Sequence, residues 1–294
     1  MANLLCIGLG YAAEQYVAAF RQKFARIVGT MRSKERAAVL NAYGGNPNAV
    51  VFDGQTASPE LHAAIAEADA LLISIPQDEA GDPALRLCGG AFAAAPHLRA
   101  IVYLSTVGVY GDTAGGWVDE TTPPAVHSAR GERRLAAERG WQELGARRGS
   151  PVAVLRLAGI YGPGRNALMQ IARGGARRIV KPGQVFNRIH VFDIAQAIDA
   201  AFTRAASGIF NVADDEPSPP GDPLVFAAQL LGVPPPPEVP FEEAAPAMSP
   251  LALSFWRECR RVKNDKLKRE LAVHLRYPTY REGLRALREQ ETSP

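Results

Sequence analysis

The residues with the clearest chemical potential lie near the start of the chain. Gly8, Gly10 and Ala13 follow the apolar run 4–7 in the pattern G-x-G-x-x-A. The first glycine allows a tight turn, the second lets backbone approach a pyrophosphate, and the small third residue keeps strand and helix close. The helix start adds unpaired amides and a partial positive charge. Because the pattern lies between a strand and a helix, it favours a dinucleotide-binding loop over a tight turn without a ligand. Tyr11 belongs to this predicted loop.

The end of the second predicted strand bears on the choice of cofactor. A chain built for NAD normally presents Asp or Glu there, whose carboxylate binds the ribose hydroxyls. Here Arg32 and Ser33 occupy the place, and the first acidic residue is Glu35. A guanidinium can pair with a 2′-phosphate and a serine can donate to it, although Arg32 could also begin a solvated helix. The missing carboxylate favours NADP over NAD.

Three more positions at predicted strand ends are expected to bind the cofactor. Asp53 closes the third strand, where it is placed to meet the adenine edge. Ser74 and Ser105 stand at the ends of the fourth and fifth strands. Ligands of open α/β sheets bind outside the carboxyl ends of the strands, where these side chains would lie.

The elements that must position these residues alternate in type. Short, continuously apolar runs are separated by helix-like stretches. The last of these stretches is polar and spans 128–148. The apolar runs are 4–7, 25–28, 49–52, 70–73, 100–104 and 152–157. Such runs are typical of parallel strands covered on both faces. The sequence therefore predicts a doubly wound α/β fold of the Rossmann type.

The second half of the chain is irregular and proline-dense, above all over 217–240. We interpret it as a smaller α+β lobe interleaved with the sheet domain and shaping the substrate site. The predicted nucleotide-binding domain comprises 1–160 and 190–212, and the predicted substrate-binding lobe comprises 161–189 and 213–294.

Composition excludes several classes of protein. The chain has 294 residues, 47% hydrophobic and 21% charged, with a formal net charge of +3; such values are those of a globular protein, not a disordered one. No run approaches the roughly 20 apolar residues of a membrane span, and the start does not read as a signal peptide. The three cysteines are few and far apart, and the densest basic run is interrupted by acids. We expect a cytoplasmic protein without a metal site, a membrane or a nucleic-acid partner.

Four ordered segments resemble the short-chain dehydrogenase/reductase superfamily. They are most similar to its extended branch, the NAD-dependent epimerase/dehydratase family, and comprise 105–112 (S-T-V-G-V-Y-G-D), 155–166, 187–195 and 208–213. The resemblance spans nearly the whole chain. It implies a Rossmann fold, a bound nicotinamide dinucleotide and a small-molecule substrate.

The resemblance also assigns catalytic positions, and the chain departs from two of them. Thr106 matches the Ser or Thr that polarises the substrate oxygen. Arg130 and Arg134 stand where the family has the tyrosine and lysine of Tyr-x-x-x-Lys. Arg134 can still donate to ribose hydroxyls, but Arg130 cannot act as the acid because a guanidinium stays charged near neutral pH. The chain is therefore similar to an atypical subgroup that keeps the cofactor loop and lacks the motif.

Other residues could supply the acid. His127 lies three residues before Arg130, so that both could share a helix face, and histidine exchanges protons near neutrality. Tyr110 and Tyr161 are expected on loops at the carboxyl edge of the sheet.

Two further polar residues have structural readings that we favour. Asp82, which is followed by proline, reads as a helix N-cap more than as a replacement for the family's active-site asparagine. His190 reads as a brace between the two lobes.

The sequence thus supports three functions. The first is an NADP-dependent oxidoreductase that acts on a small polar or carbonyl compound. The second is a non-catalytic sensor of NADP(H), and the third, a sugar-nucleotide epimerase or dehydratase, is weakened by the missing tyrosine. A homodimer through the charged helix 128–148 is an open alternative to a monomer.

Overall fold

Seven parallel strands form the central sheet, as predicted. The computed structural model describes residues 1–42 and 46–292. Its strands are β1 (Ala2–Ile7), β2 (Phe24–Met31), β3 (Asn48–Val51), β4 (Ala70–Ile73), β5 (Ala100–Thr106), β6 (Trp117–Val118), β7 (Val152–Leu157), β8 (Gly159–Tyr161), β9 (Arg178–Val180), β10 (Arg188–His190), β11 (Gly208–Val212), β12 (Glu238–Pro240) and β13 (Arg261–Val262). The order in the sheet is β11-β7-β5-β4-β1-β2-β3. The direction of winding reverses between β1 and β4, and ligands of such sheets bind at that switch point.

Helices cover both faces of the sheet. They are α1 (Tyr11–Phe20), α2 (Lys34–Ala42), α3 (Pro59–Glu67), α4 (Pro83–Ala94), α5 (Ala129–Arg148), α6 (Ala167–Ala172), α7 (Val191–Thr203), α8 (Asp222–Leu231), α9 (Phe241–Ala244), α10 (Pro250–Trp256), α11 (Asp265–Leu271) and α12 (Tyr280–Thr292). Leu4 and Cys6 of β1 pack with α1 and α7, whereas Leu5 and Ile7 pack with α3, α4 and α5. Because successive side chains point to opposite faces, a strand buried on both is apolar throughout. None of these helices is both long and apolar enough to cross a membrane.

The second lobe has a small core of its own. Tyr161, Leu168, Leu224, Tyr280 and Leu284 pack where α6, α8 and α12 meet. Short parallel strand pairs, β8 with β10 and β9 with β12, line this part of the chain.

One predicted lobe segment packs elsewhere. The sequence assigned everything after 212 to the lobe, yet β13 pairs with β6, and Leu267 and Leu271 of α11 are buried with the sheet. The predicted boundary is wrong for residues 261–271, because the apolar face of α11 packs on β11 and α7.

The long helix α5 begins and ends at residues that cap it. Ser128 Oγ accepts a hydrogen bond from the Gly131 amide at 3.1 Å, and Gly149 adopts a left-handed conformation with φ +71°. Both are common helix-ending devices. The predicted span 128–148 is therefore confirmed to within one residue.

A buried carboxylate holds α5 against the sheet. Glu138 Oε2 accepts a hydrogen bond from Arg156 Nη2 at 2.7 Å, and its Oε1 accepts one from Arg156 Nε at 3.2 Å. The two side chains are only 2% and 3% exposed. The Ser105 hydroxyl also donates to Glu138 Oε1. These contacts join α5 to both β5 and β7.

Breaking this pair should destabilise the fold strongly. Glu138→Gln leaves the Arg156 charge buried without its partner, so we expect the free energy of unfolding to fall by about 3–5 kcal/mol. Urea denaturation of the purified variant measures the change. Glu143→Gln, an exposed change on the same helix, should stay within about 0.5 kcal/mol of the parent. Equal losses in the two variants would contradict the assigned role.

Candidate functional site

Gly8 is held in a turn that only glycine fits. Its φ is +92°, and a Cβ there would lie 2.6 Å from Ile75 Cγ2 and 3.0 Å from the Ser74 carbonyl oxygen. Its amide donates to Thr30 Oγ1 at 2.7 Å. The turn is thus fixed between the ends of β1, β2 and β4.

The start of α1 is open to an anion. Gly10 is the N-cap residue, so no side chain caps the helix, and a Cβ at Gly10 would meet no atom within 4 Å. Ala13 is fully buried against the sheet. A pyrophosphate needs this combination of accessible amides, a side-chain-free approach and close helix packing, so the residues present fit a dinucleotide.

Tyr11 connects the phosphate loop to the second lobe. Its hydroxyl donates to the Pro163 carbonyl oxygen at 2.9 Å, and a Cβ at Gly162 would lie 2.7 Å from that hydroxyl. The predicted contact of Tyr11 with the cofactor stays a prediction. The structure adds that the hydrogen bond of its hydroxyl links the start of α1 to the loop after β8.

Arg32 is free at the carboxyl end of β2, whereas Ser33 is engaged. Ser33 Oγ accepts from the Arg36 amide at 3.2 Å and donates to Glu35 Oε2 at 2.6 Å, which lowers the pKa of Glu35. Arg36 pairs with Glu14 at 3.1 Å. Arg32 is exposed, and no hydrogen bond or ion pair within the described residues involves its side chain. Of the two predicted phosphate ligands, Arg32 is the one with unused donors.

Asp53 and Ser74 lie at the same edge of the sheet. Asp53 is exposed, and the Gln55 amide that donates to its Oδ1 at 2.9 Å holds the pKa of the carboxyl below its usual range. Ser74 is half-buried beside Gly8, and its amide donates to the Ile7 carbonyl oxygen at 2.8 Å. Both side chains remain predictions as cofactor ligands.

Ser105 is placed differently from the prediction. It is 6% exposed and its hydroxyl is bonded to Glu138 beneath α5. This placement argues against cofactor binding by Ser105. Its side chain points to the face of β5 that also carries Tyr103, because residues two apart share a face.

Thr106 and Arg134 both lie near the carboxyl end of β5. Thr106 is half-buried and its Oγ1 accepts from the Gly108 amide at 3.1 Å. Arg134 Nη1 donates to the Tyr103 hydroxyl at 3.1 Å and to the Leu104 carbonyl oxygen at 3.2 Å. The hydrogen bonds of both side chains thus lie within residues 103–108, around the carboxyl end of β5.

Tyr110 has a structural role. Its side chain is fully buried, the Arg156 guanidinium lies 4.8 Å from its ring centre, and its hydroxyl donates to Asn211 Oδ1 at 2.8 Å. Burial raises the pKa of this hydroxyl. The catalytic role predicted for Tyr110 is contradicted by this placement, since a substrate cannot reach the hydroxyl. Tyr161 is also expected on a loop, but it is the last residue of strand β8; it is likewise buried and donates to the Thr279 carbonyl oxygen at 3.2 Å.

His127 and Arg130 flank the start of α5, and both are exposed. The helix begins at Ala129, so the prediction that both share a helix face is wrong: His127 precedes even the N-cap, Ser128. His127 remains the histidine nearest in sequence to the helix bearing Arg134.

Sequence reasoning missed the polar contacts beneath Arg134. Gln77 Nε2 donates to the Tyr103 hydroxyl at 2.7 Å, so this buried oxygen receives hydrogen bonds from Gln77 and Arg134. Burial raises the pKa of Tyr103. No sequence signal marks Tyr103, because it lies within an apolar strand.

The favoured reading of Asp82 is confirmed by its contacts. Its Oδ1 accepts from the amides of Ala84 and Leu85 at 2.9 and 3.1 Å, capping α4, and its Oδ2 accepts from Trp141 Nε1 at 3.0 Å.

His190 packs as a buried cap between the lobes. Its Nδ1 accepts from the Phe192 amide at 3.1 Å, and its ring centre lies 5.1 Å from that of Tyr161 and 4.1 Å from that of Tyr277. Burial, aided by Arg276, lowers the pKa of His190 to about 4. The imidazole is therefore neutral near pH 7, which suits its packing between the rings of Tyr161 and Tyr277.

No group of three or more His, Cys, Asp or Glu side chains in the described part of the chain is arranged to hold a metal ion.

Comparisons with known proteins bear on the family and the fold. The model of the NAD dependent epimerase/dehydratase family matches residues 83–213. Solved structures of epimerases and dehydratases share the fold of this chain at 23% identity or less. The chain is similar to the NAD-dependent epimerase/dehydratase family over residues 83–213, which are under half of its length.

Three relatives illustrate the range of this similarity. A conserved protein of unknown function from Silicibacter pomeroyi DSS is 44% identical over 100% of both chains, with a TM-score of 0.86. A 3-diazoavenalumate denitrifying reductase from Streptomyces sp is 31% identical over 145 residues, which are 45% of this chain and 45% of that protein. The dTDP-glucose 4,6-dehydratase from Bacillus anthracis in complex with NAD is 18% identical, with a TM-score of 0.77 over 99% of this chain and 96% of that one. The last likeness is one of fold.

The two glycines of the phosphate loop should respond differently to a methyl group. Gly10→Ala should leave the melting temperature unchanged, because the added Cβ meets nothing, yet weaken dinucleotide binding by roughly tenfold or more by narrowing the approach to the amides. Gly8→Ala should instead destabilise the fold by about 1–3 kcal/mol, since its φ is positive and its Cβ would clash. Thermal unfolding and calorimetric titration with NADP+ measure both effects.

Gly89→Ala is the matched control. Gly89 lies in α4 with free space around its Cβ position, so this variant should keep its dinucleotide affinity. An unchanged affinity in Gly10→Ala would refute the assignment of the loop.

Proposed function

We propose that the protein is an NADP-dependent oxidoreductase that acts on a small polar or carbonyl compound. The observation that carries the proposal is the side-chain-free, uncapped start of α1 at Gly10, beside the switch point of the sheet. Gly8, Gly10 and the first amides of α1 would hold the pyrophosphate. Arg32 would pair with the 2′-phosphate and Asp53 would meet the adenine.

Thr106 is the residue proposed to polarise the substrate. Its Oγ1 already accepts a hydrogen bond from Gly108, so its own proton remains to be donated to a substrate oxygen. A bound nicotinamide would supply or accept the hydride.

Arg134 is proposed to hold the nicotinamide ribose. A guanidinium has five N–H donors, and the contacts of Arg134 to Tyr103 and Leu104 both use Nη1. The Nε and Nη2 donors remain for ribose hydroxyls. The Tyr103 hydroxyl and the Leu104 carbonyl oxygen hold the guanidinium at the end of β5.

The proton donor is proposed to be His127. It is exposed, and it lies next to the first turn of α5, where Arg130 replaces the family's tyrosine. The mechanism departs from the family's in this one role, because a guanidinium cannot release a proton near neutral pH.

Reduction is favoured over sugar-nucleotide chemistry. The Streptomyces relative is named as a reductase at 31% identity, although the match covers under half of either chain. The sugar-nucleotide enzymes share the fold at 15–18% identity. Epimerisation and dehydration also require the missing acid/base tyrosine.

A charge reversal at Arg32 tests the cofactor. Arg32→Glu should weaken NADPH binding by roughly tenfold or more, through loss of a charge-assisted contact to the 2′-phosphate. NADH binding should change less, since it lacks that group. Fluorescence titration with each dinucleotide gives the ratio. Arg21→Glu, an exposed change before β2 at the opposite edge of the sheet, should alter neither affinity, and equal losses for both cofactors in Arg32→Glu would exclude the NADP assignment.

Turnover is tested by NADPH consumption with a panel of carbonyl compounds and sugar nucleotides. For an active compound, Thr106→Val should lower kcat by roughly 10²-fold, the scale of a lost donor to the reacting oxygen. Thr106→Ser, which keeps the hydroxyl, should retain most of the activity. His127→Asn should also lower kcat by roughly 10²-fold or more, the scale of a lost general acid. An absence of NADPH loss and product across the panel would count against the enzyme.

The replacement at Arg130 also favours a second function, a sensor that binds NADP(H) without turnover. A sensor must bind one redox form more tightly than the other. Calorimetry with NADP+ and NADPH tests this, and equal affinities would rule it out.

A further inference from the structure

Three arginines crowd the positive end of α5. Arg133 and Arg134 lie three and four residues after Arg130, so that each is a neighbour of Arg130 on the surface of the helix. We call these three residues the arginine face. None of them forms an ion pair within the residues that the structure describes.

The arginine face is electrostatically unfavourable as it stands. The amino end of a helix carries partial positive charge and disfavours cations. The first turns hold a single acid, Glu132, which is exposed and in no ion pair within the described chain. The hydrogen bonds of Arg134 go to the neutral oxygens of Tyr103 and Leu104, and the buried Nε of Arg133 has no hydrogen-bond partner. Among residues 1–42 and 46–292, no carboxylate forms an ion pair with the arginine face.

The arginine face borders the proposed reaction site. Arg134 reaches the Leu104 carbonyl oxygen, two residues before Thr106 on the same strand. Arg130 lies one turn earlier on the same side of α5 and is exposed. Its guanidinium forms no hydrogen bond or ion pair within the described residues.

We infer that this site takes an anionic substrate, one that bears a carboxylate or phosphate group, and that Arg130 is the residue that selects it. The planar fork of a guanidinium matches either group with two parallel hydrogen bonds. The helix amino end adds to the attraction. Arg130 thus replaces the family's acid by an anchor for the substrate. The role as substrate site rests on the proposed function, whereas anion binding does not.

Calorimetric titration with inorganic phosphate and with oxalate tests the inference. The phosphate loop could also bind these ions, so the titrations use the full chain saturated with NADP+ and, separately, the Gly10→Ala variant without cofactor. In both settings Arg130→Gln should weaken binding of at least one ion by roughly tenfold, the loss of one charged hydrogen-bonded contact. Arg130→Lys, which keeps the charge and loses the fork, should fall between.

Arg147→Gln is the matched control, since Arg147 is exposed on the last turn of the same helix. It should leave ion binding unchanged. Arg130→Gln should also raise the melting temperature, because it removes an unpaired charge from the positive end of α5, and added phosphate should stabilise the parent more than this variant.

Binding that is the same in Arg130→Gln and Arg147→Gln, for both ions, would overturn the inference. Arg130-dependent binding of phosphate or of oxalate supports it and names the group. Because the Gly10→Ala arm contains no dinucleotide, it reports on the arginine face even if the protein fails to turn over NADPH.

Discussion

The Glu138–Arg156 pair determines where α5 lies, and the rest of the site depends on α5. The carboxylate receives Arg156 from β7 and Ser105 from β5, with almost no exposure to water. A buried charge of this kind tolerates little displacement, because any shift leaves it without its partners. One turn before Glu138, Arg134 is thereby held at the end of β5. The network continues through Tyr110 to Asn211, so the last strand of the sheet is tied to the same anchor.

This frame explains how the chain can lose the family's tyrosine and keep the site's shape. The positions on α5 are set by capping at Ser128 and by Glu138, neither of which involves residue 130. Arginine at that position changes the electrostatics of the start of α5 without disturbing the frame. The positive charge at the start of α5 therefore costs stability. Proteins usually break such a local rule at functional sites.

Much of the fold follows from the sequence because it is encoded locally. The apolar runs, the turn at Gly8 and the caps at Ser128 and Asp82 each depend on a few neighbouring residues, and each is found in the structure. Ser105 and Thr106 differ in their surroundings because successive side chains of a strand point to opposite faces. Ser105 faces α5, and Thr106 faces the opposite side. Tyr110 could not be placed in this way. Its burial depends on Arg156 and Asn211, which are distant in sequence, and on the 3₁₀ turn over Val107–Tyr110.

The contact between Tyr11 and Pro163 shows what no local signal could reveal. It joins residues 152 apart and links the first helix turn to the loop that follows β8. Gly162 permits it, because a Cβ there would occupy the space of the Tyr11 hydroxyl. An anion bound at the start of α1 would lie beside the donor of this hydrogen bond, Tyr11. A substrate bound by the second lobe would lie on the side of its acceptor, Pro163. The start of α1 and the loop after β8 are in this sense a single structural unit, although the sequence presents them as two motifs in different halves of the chain.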